Sequence, residues 1–273
     1  MKVLKPKKIL IISPTFAEYE RALKEVNSEV YYFELTEGND EFYLDFEKLR
    51  EELKKSYNLV ILCNPNNPTG SFVNRENFKE LLNDVNFSST NFFIDEAFID
   101  FIRNGEDLSF KHFESNRVII IRAFTKFFGI PGLRLGYSIC YNKKWVSTAN
   151  NLKEPWTINT FAASCGEILL NSNKYIEKTY KTLEKEKNRM LNGLKKIENI
   201  QVFKSESNFL LIKLMEISGT ELYNKLLEKG FLIRRCENFN FLDDSYVRIA
   251  IKDKKSNKNF IKAINKITKN RNV

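Results

Sequence analysis

Histidine is nearly absent from this 273-residue chain: the single imidazole is His112, in the polar stretch FKHFESN. A centre built from several histidines is therefore excluded, and a Ser/His/Asp triad would have to run through that one residue. Cysteine is sparse as well. Cys63, Cys140, Cys165 and Cys236 are widely separated and form no CxxC pair, so small buried thiols are expected rather than a disulfide framework or a zinc ribbon. No apolar run approaches the ~20 residues needed to cross a bilayer, and MKVLKPKKIL is basic but too short in apolar length for a signal peptide. A cytoplasmic protein without membrane association is expected. Charge is not segregated by sign either. Although the net charge is +9, lysines alternate with glutamates in KLREELKK and TLEKEKNRM, the pattern of a solvated mixed surface rather than of a nucleic-acid track. No nucleic-acid partner is expected.

What is present suffices for a large core, with 42% hydrophobic residues and 23 phenylalanines for one large domain or two ordinary ones. β-Branched and aromatic runs predict strands over 7–13, 30–35, 59–64, 91–98, 118–124 and 135–140. Between them, 17–27, 45–56 and 74–85 carry helical periodicity, with Asp45 as an N-cap. This alternation predicts an α/β fold with parallel pairing. The period then lengthens: Ile176, Tyr180, Leu183, Met190, Leu194 and Ile197 mark a long connecting helix. A second αβ unit follows, with a strand-rich 202–214, a helix over 219–230 ended by Gly230, the runs FLIRRC and YVRIAIK, and a terminal helix. The chain divides accordingly into a large domain over 1–160, a helical connection over 161–200 and a small C-terminal domain over 201–273. Ligands are expected beyond the carboxyl ends of the parallel strands and at the domain interface.

Three stretches at strand ends carry chemistry. In CNPNNPTG (63–70), two Asn-Pro steps fix an extended turn, Gly70 is free to take positive φ, and the Asn67 amide can enter a strand-end crevice. It could equally be a plain strand-exit loop. Asp95 ends the apolar run of NFFIDEAFIDF, where it could serve a ligand or cap the next helix; Glu96 and Asp100 read as surface or supporting groups. In FTKFFGIPGLRLGY (124–137), Lys126 stands among apolar residues, an expensive place for an amine unless it is paired, titrated or covalently used. Arg134 follows eight positions later. Amine, carboxylate and guanidinium could converge on one anionic, nitrogen-containing cofactor.

Together NPNNPTG, DEAF, TKFFGIPGLRLGY and VRIAIK resemble the fold-type I pyridoxal-phosphate enzymes, the aspartate-aminotransferase superfamily, in order and spacing along the whole chain. PTFAEYE (14–20), DEAFIDF (95–101), KEPWTIN (153–159) and LIRRCENF (232–239) are most similar to the histidinol-phosphate aminotransferase branch, including its relative threonine-phosphate decarboxylase. The resemblance implies Lys126 as the amine that bonds the pyridoxal 5'-phosphate aldehyde, Asp95 on the pyridinium nitrogen, Asn67 on the ring hydroxyl and Phe16 on the ring face. It implies Thr125 and Arg134 on the cofactor phosphate, and Phe98 beside the ring where many aminotransferases carry Tyr. Arg248 matches the arginine for the substrate α-carboxylate, with Asn67 beside it. Arg234 matches one for a distal phosphate, and Arg235 is the weaker candidate because neighbouring strand residues point to opposite faces.

The pattern departs from the family in three places. Only thirteen residues precede Pro14, where relatives normally carry an arm and a glycine-containing phosphate loop, so a truncated form is expected. Ala123 replaces the usual Ser or Thr, removing a phosphate-binding hydroxyl, and the DEAF form with Phe98 is familiar from the decarboxylase branch. The expected activity is decarboxylation of L-threonine O-3-phosphate to (R)-1-aminopropan-2-yl phosphate for cobalamin, on a small phosphorylated amino acid and in a homodimer. Alternatives are an aminotransferase for histidinol phosphate or an aromatic amino acid, and a remnant without activity.

Overall fold

Six short apolar runs pair into the principal sheet of the computed structural model, which describes residues 1–269. The strands are β1 (Lys8–Ser13), β2 (Glu29–Glu34), β3 (Leu59–Cys63), β4 (Asn91–Asp95), β5 (Val118–Ala123) and β6 (Gly136–Cys140), in spatial order β2-β1-β3-β4-β5-β6. All pairs are parallel except β5 with β6. Every residue of LVILC in β3 is buried, as expected for a strand covered on both faces. The helices α1 (Glu18–Lys24), α2 (Phe46–Leu53) and α3 (Arg75–Asn83) provide that cover. Asp45 caps α2 by accepting the Lys48 N–H at 3.0 Å, as its sequence position predicts.

Beyond β5 come a one-turn helix α4 (Phe124–Phe127), then β6, α5 (Lys143–Leu152), α6 (Thr160–Leu170) and the long α7 (Asn173–Leu194). The second sheet follows. Its strands β7 (Ile200–Val202), β8 (Phe209–Leu214), β9 (Arg234–Arg235) and β10 (Tyr246–Ala250) run in order β9-β10-β8-β7, all antiparallel. Against it pack α8 (Gly219–Leu227) and α9 (Lys254–Lys269). Residues 270–273, the last four of the 201–273 segment, lie outside the described residues.

Three details refine the strand expectations within a sheet that is mostly parallel. β6 returns antiparallel, because the connection over 124–135 holds only short helical turns and cannot make the long crossover that parallel pairing requires. The run 91–98 stops at Asp95, after which Phe98 precedes the 3₁₀ turn Ile99–Phe101. The run 202–214 breaks into two strands around SESN.

The two sheets share an apolar cluster in which Phe42 meets Phe203 at 4.8 Å between ring centroids, and Leu211, Phe239 and Tyr246 join Leu10, Val60 and Ile94. Polar ties reinforce this join: Lys213 Nζ meets Glu37 at 2.8 Å, and Gln201 Nε2 donates to the Asn39 carbonyl at 3.0 Å. Gly70 shows how closely they approach. With φ +73°, it lies so near the β7–β8 connection that a Cβ would fall 2.1 Å from Ser205 Oγ; any side chain there would push the small sheet away.

Candidate active site

Cys63, Asp95 and Ile121 are register neighbours at the carboxyl ends of three parallel strands, so the chain segments that leave them emerge along one edge. The first is the Asn-Pro loop. Its asparagines divide the work: Asn64 accepts the Val73 N–H at 2.7 Å and donates to the Val73 carbonyl at 3.0 Å, while Asn66 donates to the Pro14 carbonyl and Thr69 Oγ1, both at 2.8 Å. Two side chains thus fix the loop. The third, Asn67, faces a cavity of about 860 Å³ that opens between the sheets.

All nine residues singled out in the sequence line that cavity: Phe16, Asn67, Asp95, Phe98, Thr125, Lys126, Arg134, Arg234 and Arg248. Arg235 does not. Its guanidinium turns away to Thr220 Oγ1 at 2.7 Å and to Glu237 at 2.9 Å, which follows from the alternation along β9.

Asp95 is buried, and no cation pairs with it among the described residues. Its Oδ1 accepts the Ala97 N–H at 2.9 Å and its Oδ2 accepts the Tyr19 hydroxyl at 2.5 Å. Burial pushes its carboxyl above the ordinary range, opposed by those two bonds and by the positive charge of Lys126. A buried carboxylate in this balance is an acceptor for a cationic N–H group entering from the cavity.

Lys126 corrects one expectation. The flanking Phe124, Thr125 and Phe127 take the buried positions of α4, leaving the Lys126 side chain exposed to the cavity rather than desolvated. Its Nζ stands 6.0 Å from the Phe98 ring centroid. Among the described residues no carboxylate forms a salt bridge with it. Arg134 follows the turn Pro131–Leu133 in a left-handed conformation, φ 56°, and donates to the Pro131 carbonyl at 2.9 Å, with the rest of its guanidinium exposed to accept an anion.

On the opposite wall, Arg248 Nη1 donates to Asn67 Oδ1, and its guanidinium lies 4.9 Å from the Phe209 ring centroid. Burial, aided by the nearby charge of Arg234, lowers its pKa. Arg234 is held by Asn238 Oδ1 at 2.8 Å and by the Phe239 face at 5.3 Å. The two guanidinium groups reach the cavity from adjacent strands, with Arg234 opposite Arg248 in register.

Several residues escaped the sequence reading. Tyr19 is the principal omission, and its spacing from Phe16, one helical turn along, was the available signal. Asn208 and Asn238 also line the cavity, without any distinguishing sequence pattern. Of the two readings of Glu96, surface or supporting, burial removes the first: it is fully buried and meets Arg122 Nε at 2.9 Å, Ser109 Oγ at 2.7 Å and the Phe110 N–H at 2.7 Å. Among the described residues, no cluster of three or more His, Cys, Asp or Glu side chains could hold a metal ion, and no helix is long and apolar enough to cross a membrane.

Sheet order, strand-end loops and a cavity rich in cationic groups together define an α/β enzyme fold, and residues 1–264 match the family model for class I and II aminotransferases. The chain belongs to that family. It is 38% identical over 270 residues to a protein of Caldanaerobacter subterraneus subsp. tengcongensis that carries a provisional assignment as threonine-phosphate decarboxylase, covering 96% of this chain and 71% of that one. It is 31% identical to the threonine-phosphate decarboxylase of Salmonella typhimurium, covering 97% of this chain and 72% of that one. Among solved structures, the histidinol-phosphate aminotransferase of Clostridium acetobutylicum superposes with a TM-score of 0.91 at 38% identity, covering 98% of this chain and 80% of that one.

Proposed function

We propose that this chain is a pyridoxal 5'-phosphate-dependent decarboxylase that converts L-threonine O-3-phosphate to CO₂ and (R)-1-aminopropan-2-yl phosphate, the aminopropanol phosphate unit of cobalamin. The observation that carries the cofactor assignment is one cavity, in which a buried carboxylate with no salt bridge among the described residues, an exposed amine and three guanidinium groups face one another; decarboxylation is favoured by the 38% and 31% identity to the relatives of that name. That donor set fits the cofactor. Asp95 would face the ring nitrogen, Asn67 the ring hydroxyl, and Phe16 one face of the ring; Phe98 offers an apolar wall without a phenol, leaving Asn67 the main partner of the ring oxygen. Thr125 and Arg134 would bind the phosphate, and Lys126 would hold the cofactor through its amine. When bound, the cofactor supplies a conjugated, electron-accepting ring that takes up the electron pair released at the substrate Cα.

The remaining steps belong to the protein. Arg248 and Asn67 bind the substrate α-carboxylate, and Arg234 binds the distal phosphate, so two anionic ends meet two cations. Holding both ends would fix the orientation of the bond between Cα and the carboxylate, and loss of CO₂ would need no separate base. Lys126, its amine free once the substrate amine has taken its place, would deliver a proton from its ammonium form to Cα. On this reading, residues 1–160 form the cofactor side, 201–273 the substrate side, and 161–200 the connection between them. A homodimer is supported by the apolar side chains between β6 and α7, where Trp156 is 94% exposed and Phe161 77%. A cytoplasmic location is supported by the four free cysteines.

The similarity to the Clostridium acetobutylicum aminotransferase favours a second reading, amino-group transfer from histidinol phosphate. There Lys126 would move the Cα proton rather than replace CO₂. Incubation with threonine phosphate should release CO₂, and incubation with histidinol phosphate and 2-oxoglutarate should yield little glutamate. Rapid glutamate formation without CO₂ would reverse the order of the two readings.

A further inference from the structure

Tyr19 is absent from the set of residues that the family resemblance supplies, yet it touches two of them. It stands at the start of α1, 7% exposed, with its hydroxyl on Asp95 Oδ2. Its ring meets Phe16 edge-on, 6.0 Å between centroids at an interplanar angle of 87°. Phe16 is 45% exposed, so little else supports it on the cavity side. We propose that Tyr19 is a positioning residue that fixes Asp95 and Phe16 together at the face of the cavity where the cofactor ring would lie; this rests on the cofactor reading given above.

The groups around Asp95 leave this role to Tyr19. From β3, the buried Cys63 thiol directs its proton to the Pro65 carbonyl at 3.3 Å, and burial pushes its pKa up to about 12, so it contributes no charge at neutral pH. From α4 comes the Lys126 charge, and from the chain following β4 the Ala97 N–H. The Ala97 bond holds Oδ1 alone, and rotation about the carboxyl carbon is stopped only when Oδ2 is held as well. The tyrosine supplies that second bond. It also favours the ionised carboxylate against burial. A ring that merely filled space would pack equally well as phenylalanine.

The test measures binding of pyridoxal 5'-phosphate to the cofactor-stripped full chain by quenching of tryptophan fluorescence, from pH 6 to 8.5. The proteins compared are wild type, Tyr19→Phe, Tyr19→Leu, Asp95→Asn and the double variant Tyr19→Phe/Asp95→Asn. Tyr19→Phe should bind about 10-fold more weakly at pH 7.5, the scale of one hydrogen bond to a charged group. That loss should widen toward pH 6, because Asp95 without the hydroxyl takes up its proton at higher pH. The double variant should bind no more weakly than Asp95→Asn, since the hydroxyl acts through that carboxylate. Tyr19→Leu should bind more weakly than Tyr19→Phe through loss of the Phe16 contact; equal binding would remove Phe16 from the proposal. Wild-type affinity of Tyr19→Phe at every pH, or a loss that adds in full to that of Asp95→Asn, would overturn it while leaving the cofactor reading intact. Wild-type affinity of Asp95→Asn would overturn both.

Discussion

Asp95 and Glu96 are consecutive residues at the end of one strand, both buried, and both acidic. Glu96 faces a complete protein shell: the Arg122 guanidinium, a serine hydroxyl and a backbone N–H satisfy its two oxygens. Asp95 faces a tyrosine hydroxyl and one N–H, with no salt bridge among the described residues and only the more distant charge of Lys126. A buried charge costs several kcal/mol unless it is paired, so the first carboxylate is explained by the fold and the second is not. The difference teaches how a single strand end serves two purposes. One side chain anchors the loop over 96–110 to β5, and the other keeps an unfilled demand for positive charge facing the cavity.

Exchanging the neighbours one at a time should separate these purposes. Asp95→Asn should lower kcat/KM on the order of 10²-fold or more, with a melting temperature equal to or above that of wild type. Glu96→Gln should do the reverse. It leaves Arg122 beside a neutral amide with Glu106 as its remaining close partner, costing about 1–3 kcal/mol of stability, read by urea denaturation, while kcat at a temperature where the variant stays folded changes little. Loss of activity with unchanged stability in Glu96→Gln would break the contrast.

The arginines sharpen the account of the opposite wall. Arg248→Gln should raise KM about 10- to 100-fold for any substrate carrying an α-carboxylate, the scale of charge-assisted hydrogen bonds. Arg234→Gln should raise KM about 10-fold for phosphorylated substrates only, since its guanidinium is more exposed. Equal effects on phosphorylated and unphosphorylated substrates would remove Arg234 from the distal site.

The smallest effect concerns Asp100, 3.8 Å from Arg122 and pushed by burial to a pKa of about 6. Its folded-state value lies above that of an unfolded aspartate, about 3.9. The folded state therefore binds the proton more tightly, and the associated stability is fully present below about pH 4 and lost as pH rises through about 6. Asp100→Asn should raise the melting temperature at pH 8 and leave it unchanged at pH 4. An equal shift at both values would assign the effect to packing.

Much of this was legible in the sequence because strand ends are punctuated. The run LVILC followed by Asn-Pro, NFFID followed by an acidic pair, and VIIIRA followed by an amphipathic turn each marked where a buried strand meets the cavity. The antiparallel return of β6 was less legible: local propensity makes a strand but does not choose its direction, which here follows from the length of the connection. The exposure of Lys126 was misread for a related reason. Apolar neighbours in sequence suggested a desolvated amine, yet a single helical turn puts those neighbours on one side and the lysine on the other. Tyr19 was missed because its partner is distant in the chain, and only the packing of α1 over the ends of β3 and β4 brings its hydroxyl to Asp95.

The most direct measurement is the site of covalent attachment. Purified chain incubated with pyridoxal 5'-phosphate, reduced with borohydride and digested should yield one phosphopyridoxyl peptide, carrying the label on Lys126, and Lys126→Ala should yield none. Label spread over surface lysines, and unchanged by that substitution, would contradict the account.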